Sequence, residues 1–553
     1  MKITEKICKY AILSISFFFL FIFSWMSVIS TSTVTLMEHV YFTDISGVPG
    51  ILVFFFLIII SLVPAIRDRV SDIEKKLSKN TKLYRTLYFM LAGILLLISI
   101  LWVTVTGFES WADSRYVQDS VRAFVAGIYD PFRPDGYIGY YHNQIGLVLL
   151  EAPVFMIFGE NAPMVFQLFN ACCIPLILTA LTRFDSSRLH KLIILSVGIV
   201  WFPIFFTASH IYGNIPGLML AAWSYVFLAD FVEKPSFVKG LSAAVLIGMS
   251  CIVKQNYLIF LISFVLVSGL ETMRKKKLYP VLIGIVAIIF SILFSKGAVS
   301  VLESITGFEI TGGESKWSYI AMGMQEGSRA SGWWNGYNED TYIAACFDTE
   351  AQAEISRAEI KNRMHSMIEH PAYALNFYTM KLASQWNEPS FQSIWLLRSH
   401  SEDMPAFIEC LTSIGGSDRL IPYLKVFEVL IYLSALLFVC FEEKNDAGTE
   451  LLLITFLGGV LFHIIWEAKS QYALAYFILL IPVAVRGMGK FIGYLRSRNK
   501  KSGKHAGTDR KKVVLGVTLM ITLLFIGVLY YKHIPEGLRA DTAEYQEYII
   551  SNS

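Results

Sequence analysis

Three side chains stand where their type and setting suit chemistry: Asp113, Lys254 and Lys469. Asp113 lies in Glu109-Ser110-Trp111-Ala112-Asp113-Ser114-Arg115-Tyr116, just after a long apolar run. A carboxylate at a membrane–water boundary can take the proton of an attacking hydroxyl. The same residue also suits a helix cap or a partner for the helix dipole. Lys254 heads Lys254-Gln255-Asn256-Tyr257, and Lys469 sits inside His463-Ile464-Ile465-Trp466-Glu467-Ala468-Lys469-Ser470-Gln471-Tyr472. An ammonium flanked by apolar segments calls for an anion, and a lipid phosphate is one that reaches such a place. Snorkelling to the interface, or a Glu467–Lys469 pair, accounts for either lysine alone.

Other polar groups interrupt apolar runs nearby. His142, Asn143 and Gln144 follow Tyr137, Tyr140 and Tyr141, and the turn at Ser209-His210-Ile211-Tyr212-Gly213-Asn214 is of the same kind. Rings and amides of this sort stack on a sugar and bond its hydroxyls; the tyrosines equally suit an interfacial aromatic belt. Gly332-Trp333-Trp334-Asn335-Gly336-Tyr337 fits a carbohydrate-binding loop or a loop dipping into the interface. No Asp-x-Asp pair, Walker loop or Cys-x-x-Cys pair occurs, so metal and nucleotide chemistry lack a motif. Cys346 and Cys410, in the long polar region, could be bridged or free.

The elements that must hold these groups are membrane helices. Of 553 residues, 55% are hydrophobic and 16% charged, with 41 Phe and a mean hydropathy of +0.53. A soluble domain carries about 25% charged residues, so this composition excludes a soluble enzyme, a disordered chain and a nucleic-acid binder. Candidate spans lie near 11–31, 48–65, 86–107, 143–159, 161–182, 192–207, 213–232, 240–253, 255–270, 279–298, 422–440, 450–466, 470–487 and 513–530. The first reads as a retained anchor rather than a signal peptide. The expected fold is an all-α polytopic integral membrane protein of about 12–14 transmembrane helices.

Basic residues concentrate at Arg67–Arg85, Arg183–Lys191, Lys234–Lys239, Arg274–Lys277 and Arg486–Lys512, which the positive-inside rule puts in the cytoplasm. Residues 108–142, 299–421 and the tail after Tyr531 then fall outside, together with Lys254 and Lys469. Three apolar runs between Arg85 and Arg183 break the even count this requires. The run 143–159, with Glu151 and Pro153, is therefore expected to be re-entrant or tilted beneath the preceding loop. That loop predicts an amphipathic helix, with Val117, Val121 and Phe124 or Val125 at helical spacing. Residues 351–385 predict a small helical cap. The organisation expected is 1–85, two extra spans and a basic loop; 86–298, the membrane core; 299–421, the extracytoplasmic region; 422–530, the last membrane helices; and 531–553, an outer tail.

Taken in order, these segments resemble the GT-C superfamily of membrane glycosyltransferases, which includes protein O-mannosyltransferases and aminoarabinose transferases of lipid A. The likeness rests on Asp113, Tyr116 and Gly127 in the first outer loop, on His142-Asn143-Gln144, on Gly332 to Tyr337 and on Trp466 to Tyr472. Ser114 stands where a second acid is frequent, and Gln471 where an Arg is usual. The resemblance covers roughly residues 86–490. It implies a sugar carried on undecaprenyl or a similar polyprenyl phosphate, transferred at the cell membrane's outer face to an envelope glycan, lipid or protein. Asp113 would be the general base. Lys254, Lys469 and Arg115 would hold the donor phosphate. Tyr116, His142, Asn143, Gln144, His210, Tyr212, Gln255, Trp333, Trp334, Glu467 and Tyr472 would contact substrate. No metal or other cofactor is expected, and inversion follows from direct displacement. A polymerase or ligase acting on a lipid-diphosphate oligosaccharide and a transporter or flippase are the alternatives. Polar residues gathered near one face, rather than at the midplane, favour an enzyme over a transporter.

Overall fold

A computed structural model describes residues 2–498 except 36, 44, 311, 398–404, 413 and 442–445, together with 539–540. Helix α1 (Lys2–Ile29) leads into an antiparallel hairpin of β1 (Thr31–Val34) and β2 (Val40–Thr43). Residues 539–540 (β3) run parallel beside β2. These short strands depart from an all-α fold, and β-branched Thr31, Thr33, Val34, Val40 and Thr43 favour them.

Next come α2 (Val48–Leu62), α3 (Pro64–Lys79) and α4 (Thr81–Thr106). Helix α5 (Asp113–Val125) precedes α6 (Ile145–Phe158) and α7 (Ala162–Thr182). The core continues through α8 (Arg188–Val200), α9 (Asn214–Glu233), α10 (Phe237–Val253), α11 (Leu258–Lys275) and α12 (Tyr279–Thr306). A polar region carries α13 (Thr349–Glu369) and α14 (Pro371–Trp386). The chain then returns as α15 (Ile414–Phe441), α16 (Ala447–Ile465) and α17 (Ser470–Arg498). Among the described residues nine helices are long and apolar enough to cross a membrane, or eleven if each of two bent pairs counts as one span. The bent pairs cover the expected spans near 48–65 and 192–207, and α10 is a shorter apolar helix. The chain is a polytopic helical membrane protein. The expected span 513–530, the basic stretch 499–512 and the tail 531–553 lie outside the described residues, apart from 539–540.

The apolar run 143–159 is the first part of one helical stretch, His142–Thr182. At about 1.5 Å per residue, the 14 residues of α6 reach about 21 Å, short of a hydrocarbon core of about 30 Å. Both its ends meet the loop before it. Tyr137, close before α6, reaches the Asp113 carbonyl at 3.5 Å. Beyond its C-terminus, Glu160 lies 3.4 Å from Arg122, whose guanidinium also covers the Phe155 ring. Helix α6 therefore lies alongside α5, and Val117, Val121, Val148, Ala152 and Phe155 form one apolar seam between them. Gly146 permits the approach of α6 to α10, since a Cβ there would sit 2.2 Å from the Ile252 carbonyl oxygen.

The basic connections gather at one end of the bundle. Arg188 donates to the Leu77 carbonyl at 2.6 Å, Arg274 pairs with Glu271 and Glu450, and Arg486 lies 3.5 Å from Asp446. Helices α9, α11 and α17 begin at the opposite end, and α16 finishes there. Tyr225 clamps three of them in mid-bundle: its hydroxyl meets the Phe260 carbonyl at 2.8 Å and Thr455 Oγ1 at 2.6 Å. Helix α14 plugs into the same core through the fully buried Trp386, stacked on Phe23 at 5.1 Å.

Candidate functional site

Asp113 opens α5 after Ala112, a non-glycine residue held at φ 50°. Such a conformation costs about 1–3 kcal/mol and persists where the surroundings over-determine it. Here they do, because the Ser114 hydroxyl is bonded to the Ile211 carbonyl at 2.6 Å. That bond fastens the start of α5 to the 207–212 turn. Helix α7 holds the other side of the turn with two buried amides. Gln167 donates to the Phe108 and Ser209 carbonyls at 2.7 and 3.1 Å, and Asn170 to the Ala208 carbonyl at 3.0 Å.

The turn presents Tyr212 to Lys254. The Lys254 ammonium lies 3.2 Å from the ring centroid, a cation–π contact, and no carboxylate among the described residues lies within ion-pair distance of it. Gln144 donates to the Tyr212 hydroxyl at 2.7 Å from the N-terminal side of α6. Burial drives Lys254 down to about 7, with Asp113 opposing and Lys469 adding to the effect. Burial, then Lys254 and Lys469, likewise push His210 down to about 3. Thus Asp113, His210, Lys254 and Lys469, from four separate stretches of chain, share one electrostatic neighbourhood.

Lys469 has a different setting. Its ammonium lies 3.4 Å from the carboxylate of Glu38, in the turn between β1 and β2. Arg329 pairs with the same carboxylate, and Gln392 donates to it at 3.1 Å. Burial alone would lower Lys469, but Glu38, Glu467 and Asp113 hold it above its ordinary value. Glu467 is pushed up to about 7 by burial, against the pull of Lys469. Tyr472 donates to it at 3.4 Å.

The turn between α16 and α17 is shaped by the 323–333 loop. The Ala468 amide bonds the Gly332 carbonyl at 2.8 Å. Lys381, fully buried on α14, donates to the carbonyls of Gly323, Ile464 and Trp466 at 2.5, 3.1 and 2.8 Å. Burial lowers Lys381 to about 7, yet three converging acceptors fit a charged ammonium. A small, open crevice beside Lys254 is lined by Asn214, Ile215, Leu218, Phe260, Gln471, Tyr472 and Tyr476.

The other residues expected at the site have the following settings. Arg115 faces away and lies 3.8 Å from Asp119, because the buried face of α5 is that of Ser114, Val117, Gln118 and Val121. Tyr116 is exposed and stacks on Tyr137 at 5.3 Å. Asn143 is exposed and His142 half-buried against Gly313. Gln255 is half-buried in the 3-10 turn after Lys254. Trp333 is wholly buried behind Ala468 with its indole N–H on Ser384 at 2.9 Å, so it packs the loop rather than facing a ligand. Trp334 lies under the Arg329 guanidinium at 4.3 Å. Among the described residues neither Cys346 nor Cys410 is in a disulfide.

The site also holds residues without a sequence signal of their own: Glu38, Arg329, Lys381 and Glu314. Glu314 accepts from Tyr319 at 2.6 Å and from Asn338 at 2.9 Å, and burial raises it to about 7. Gln167 and Asn170 did carry a signal, being amides three residues apart inside an apolar run. No family model matches the chain, and no curated protein matches its sequence.

Proposed function

We propose that the protein is a membrane glycosyltransferase of the GT-C type that moves a sugar from a polyprenyl-phosphate carrier to an envelope acceptor at the outer face of the cell membrane. The acceptor oxygen forms a bond to the anomeric carbon while the bond from that carbon to the phosphate oxygen breaks. Asp113 takes the acceptor proton, and the lipid phosphate leaves with the bonding electron pair. Lys254 meets the charge that develops on the leaving phosphate, in a poorly solvated place where a cation counts for more. The small crevice beside it has a mostly apolar lining, which a prenyl chain would favour over water. Direct displacement inverts the anomeric centre.

The observation that carries this reading is that a half-buried carboxylate, Asp113, lies within electrostatic range of an ammonium, Lys254, that has no carboxylate at ion-pair distance. A base and a free cation beside an apolar crevice are what transfer from a lipid phosphate needs. The test is a deletion strain whose envelope glycans are compared with the wild type, followed by complementation with Asp113→Asn. Loss of one sugar substituent, restored by the wild-type gene and not by the variant, supports the reading. Unchanged glycans, or full rescue by the variant, refute it.

A further inference from the structure

The turn between β1 and β2 does more than close a hairpin. Glu38 lies there at φ 61°, a conformation that costs a non-glycine residue, and it is 3% exposed. Its surroundings hold it firmly. Val40 N–H donates to the Arg329 carbonyl at 2.8 Å, His39 Nδ1 lies 2.6 Å from the Ser328 carbonyl oxygen, and Ser32 N–H donates to the Asn387 carbonyl at 3.0 Å. The carboxylate so placed meets three side chains: Arg329, Lys469 at 3.4 Å and Gln392 at 3.1 Å. A buried carboxylate between two cations occupies the place of an external anion.

This arrangement divides the site's positive charge. Lys469 and Arg329 both pair directly with Glu38, whereas Lys254 makes a cation–π contact and has Asp113 and Glu467 only beyond ion-pair distance. One cation without a directly paired carboxylate suits one phosphate. A second phosphate would meet Glu38 where it needs Lys469 and Arg329. Like charges at such range repel by amounts that decide between ligands.

We infer that Glu38 is a specificity-determining residue, which neutralises Lys469 and Arg329 and so restricts the site to a lipid carrier bearing a single phosphate. This rests on the phosphate reading of Lys254 given above. The chemistry distinguished is a polyprenyl monophosphate from the corresponding diphosphate. The hairpin, which precedes the region of family resemblance, thereby becomes a wall of the site.

The test uses the full-length protein in nanodiscs, with labelled undecaprenyl phosphate displaced by unlabelled undecaprenyl phosphate or diphosphate. Wild type is expected to prefer the monophosphate, and Lys254→Met to lose it. Glu38→Gln should shift the ratio about tenfold toward the diphosphate, the order expected for removing one opposing charge at this range. Arg329→Gln, which leaves Glu38 in place with one cation fewer, should strengthen the monophosphate preference and provides the answer if Glu38→Gln does not fold. A wild-type preference for the diphosphate, or an unchanged ratio in folded Glu38→Gln and Arg329→Gln, overturns the inference while the Lys254 reading stands. Binding of neither lipid by wild type overturns both.

Discussion

The ammonium of Lys254 lies 3.2 Å from the centre of the Tyr212 ring, and this contact joins the 207–212 turn to the junction of α10 and α11. An aromatic face attracts a cation without neutralising it. The lysine therefore keeps its capacity for an anion while its position is fixed. Gln144 anchors the tyrosine from the opposite side at 2.7 Å, so three segments register on one side chain.

Anion binding at Lys254 should depend on pH. Burial lowers this group to about 7, so the empty site loses its charge as pH rises through that value. Affinity for undecaprenyl phosphate is expected to weaken steadily from pH 6 to pH 9. Lys254→Arg should flatten the profile, because a guanidinium stays charged. A binding titration at several pH values checks this, and a flat wild-type profile contradicts it.

Asp113→Asn keeps the size and polarity of the side chain and removes its basicity. Transfer should fall by about 10²–10⁴-fold, the usual worth of a positioned base, with thermal stability little changed. Turnover of purified protein and its melting temperature are the two measurements. Arg115→Gln, on the outward face of α5, should leave turnover within about twofold, since an exposed pair such as Arg115–Asp119 contributes about 0–1 kcal/mol.

Lys381→Met should destabilise the turn between α16 and α17. The substitution deprives the carbonyls of Gly323, Ile464 and Trp466 of their donor, and each buried unsatisfied group costs about 1–3 kcal/mol. A drop of several degrees in melting temperature in detergent is expected. Lys361→Met, on the exposed side of α13, should show none.

Gly332→Ala attacks the same turn from the other side. Gly332 has φ 72°, and a Cβ there would sit 2.7 Å from the Gly323 carbonyl oxygen and from Lys381 Cε. The loop must shift, and with it the carbonyl that receives the Ala468 amide. Activity is expected to fall together with stability, read by turnover and thermal melting side by side.

Glu314 makes stability fall as the solution becomes less acidic. Its carboxyl is raised to about 7 in the folded chain, so between about pH 4.5 and 7 the native state binds a proton that the unfolded chain has released. The stabilisation is complete below the unfolded value and is lost as pH rises through the folded one. Glu314→Gln should reduce the loss of melting temperature between pH 5 and pH 8. An undiminished loss would show that other groups carry it.

Much of the architecture was legible in local pattern. Apolar runs longer than a bilayer core needs announce membrane helices whatever their partners, and α5 appears where Val117 and Val121 share a face. The run 143–159, which the parity of the basic loops left without a place, folds as α6 against α5. The hairpin was not legible, because two four-residue strands between spans give too short a period to read.

Composition and order alone determined a polytopic helical membrane protein with a carboxylate opening an amphipathic helix and lysines at two later junctions. These follow from hydropathy and spacing, which act over a few turns of chain. Only the tertiary structure decided that Asp113 and Lys254 come within electrostatic range, that Arg115 turns outward, and that Lys469 is already engaged by Glu38. Glu38 and Gln392 touch across 354 positions, and no periodicity spans such a distance. Charge pairing of this kind depends on which helices pack together, and packing is a property of the assembled bundle.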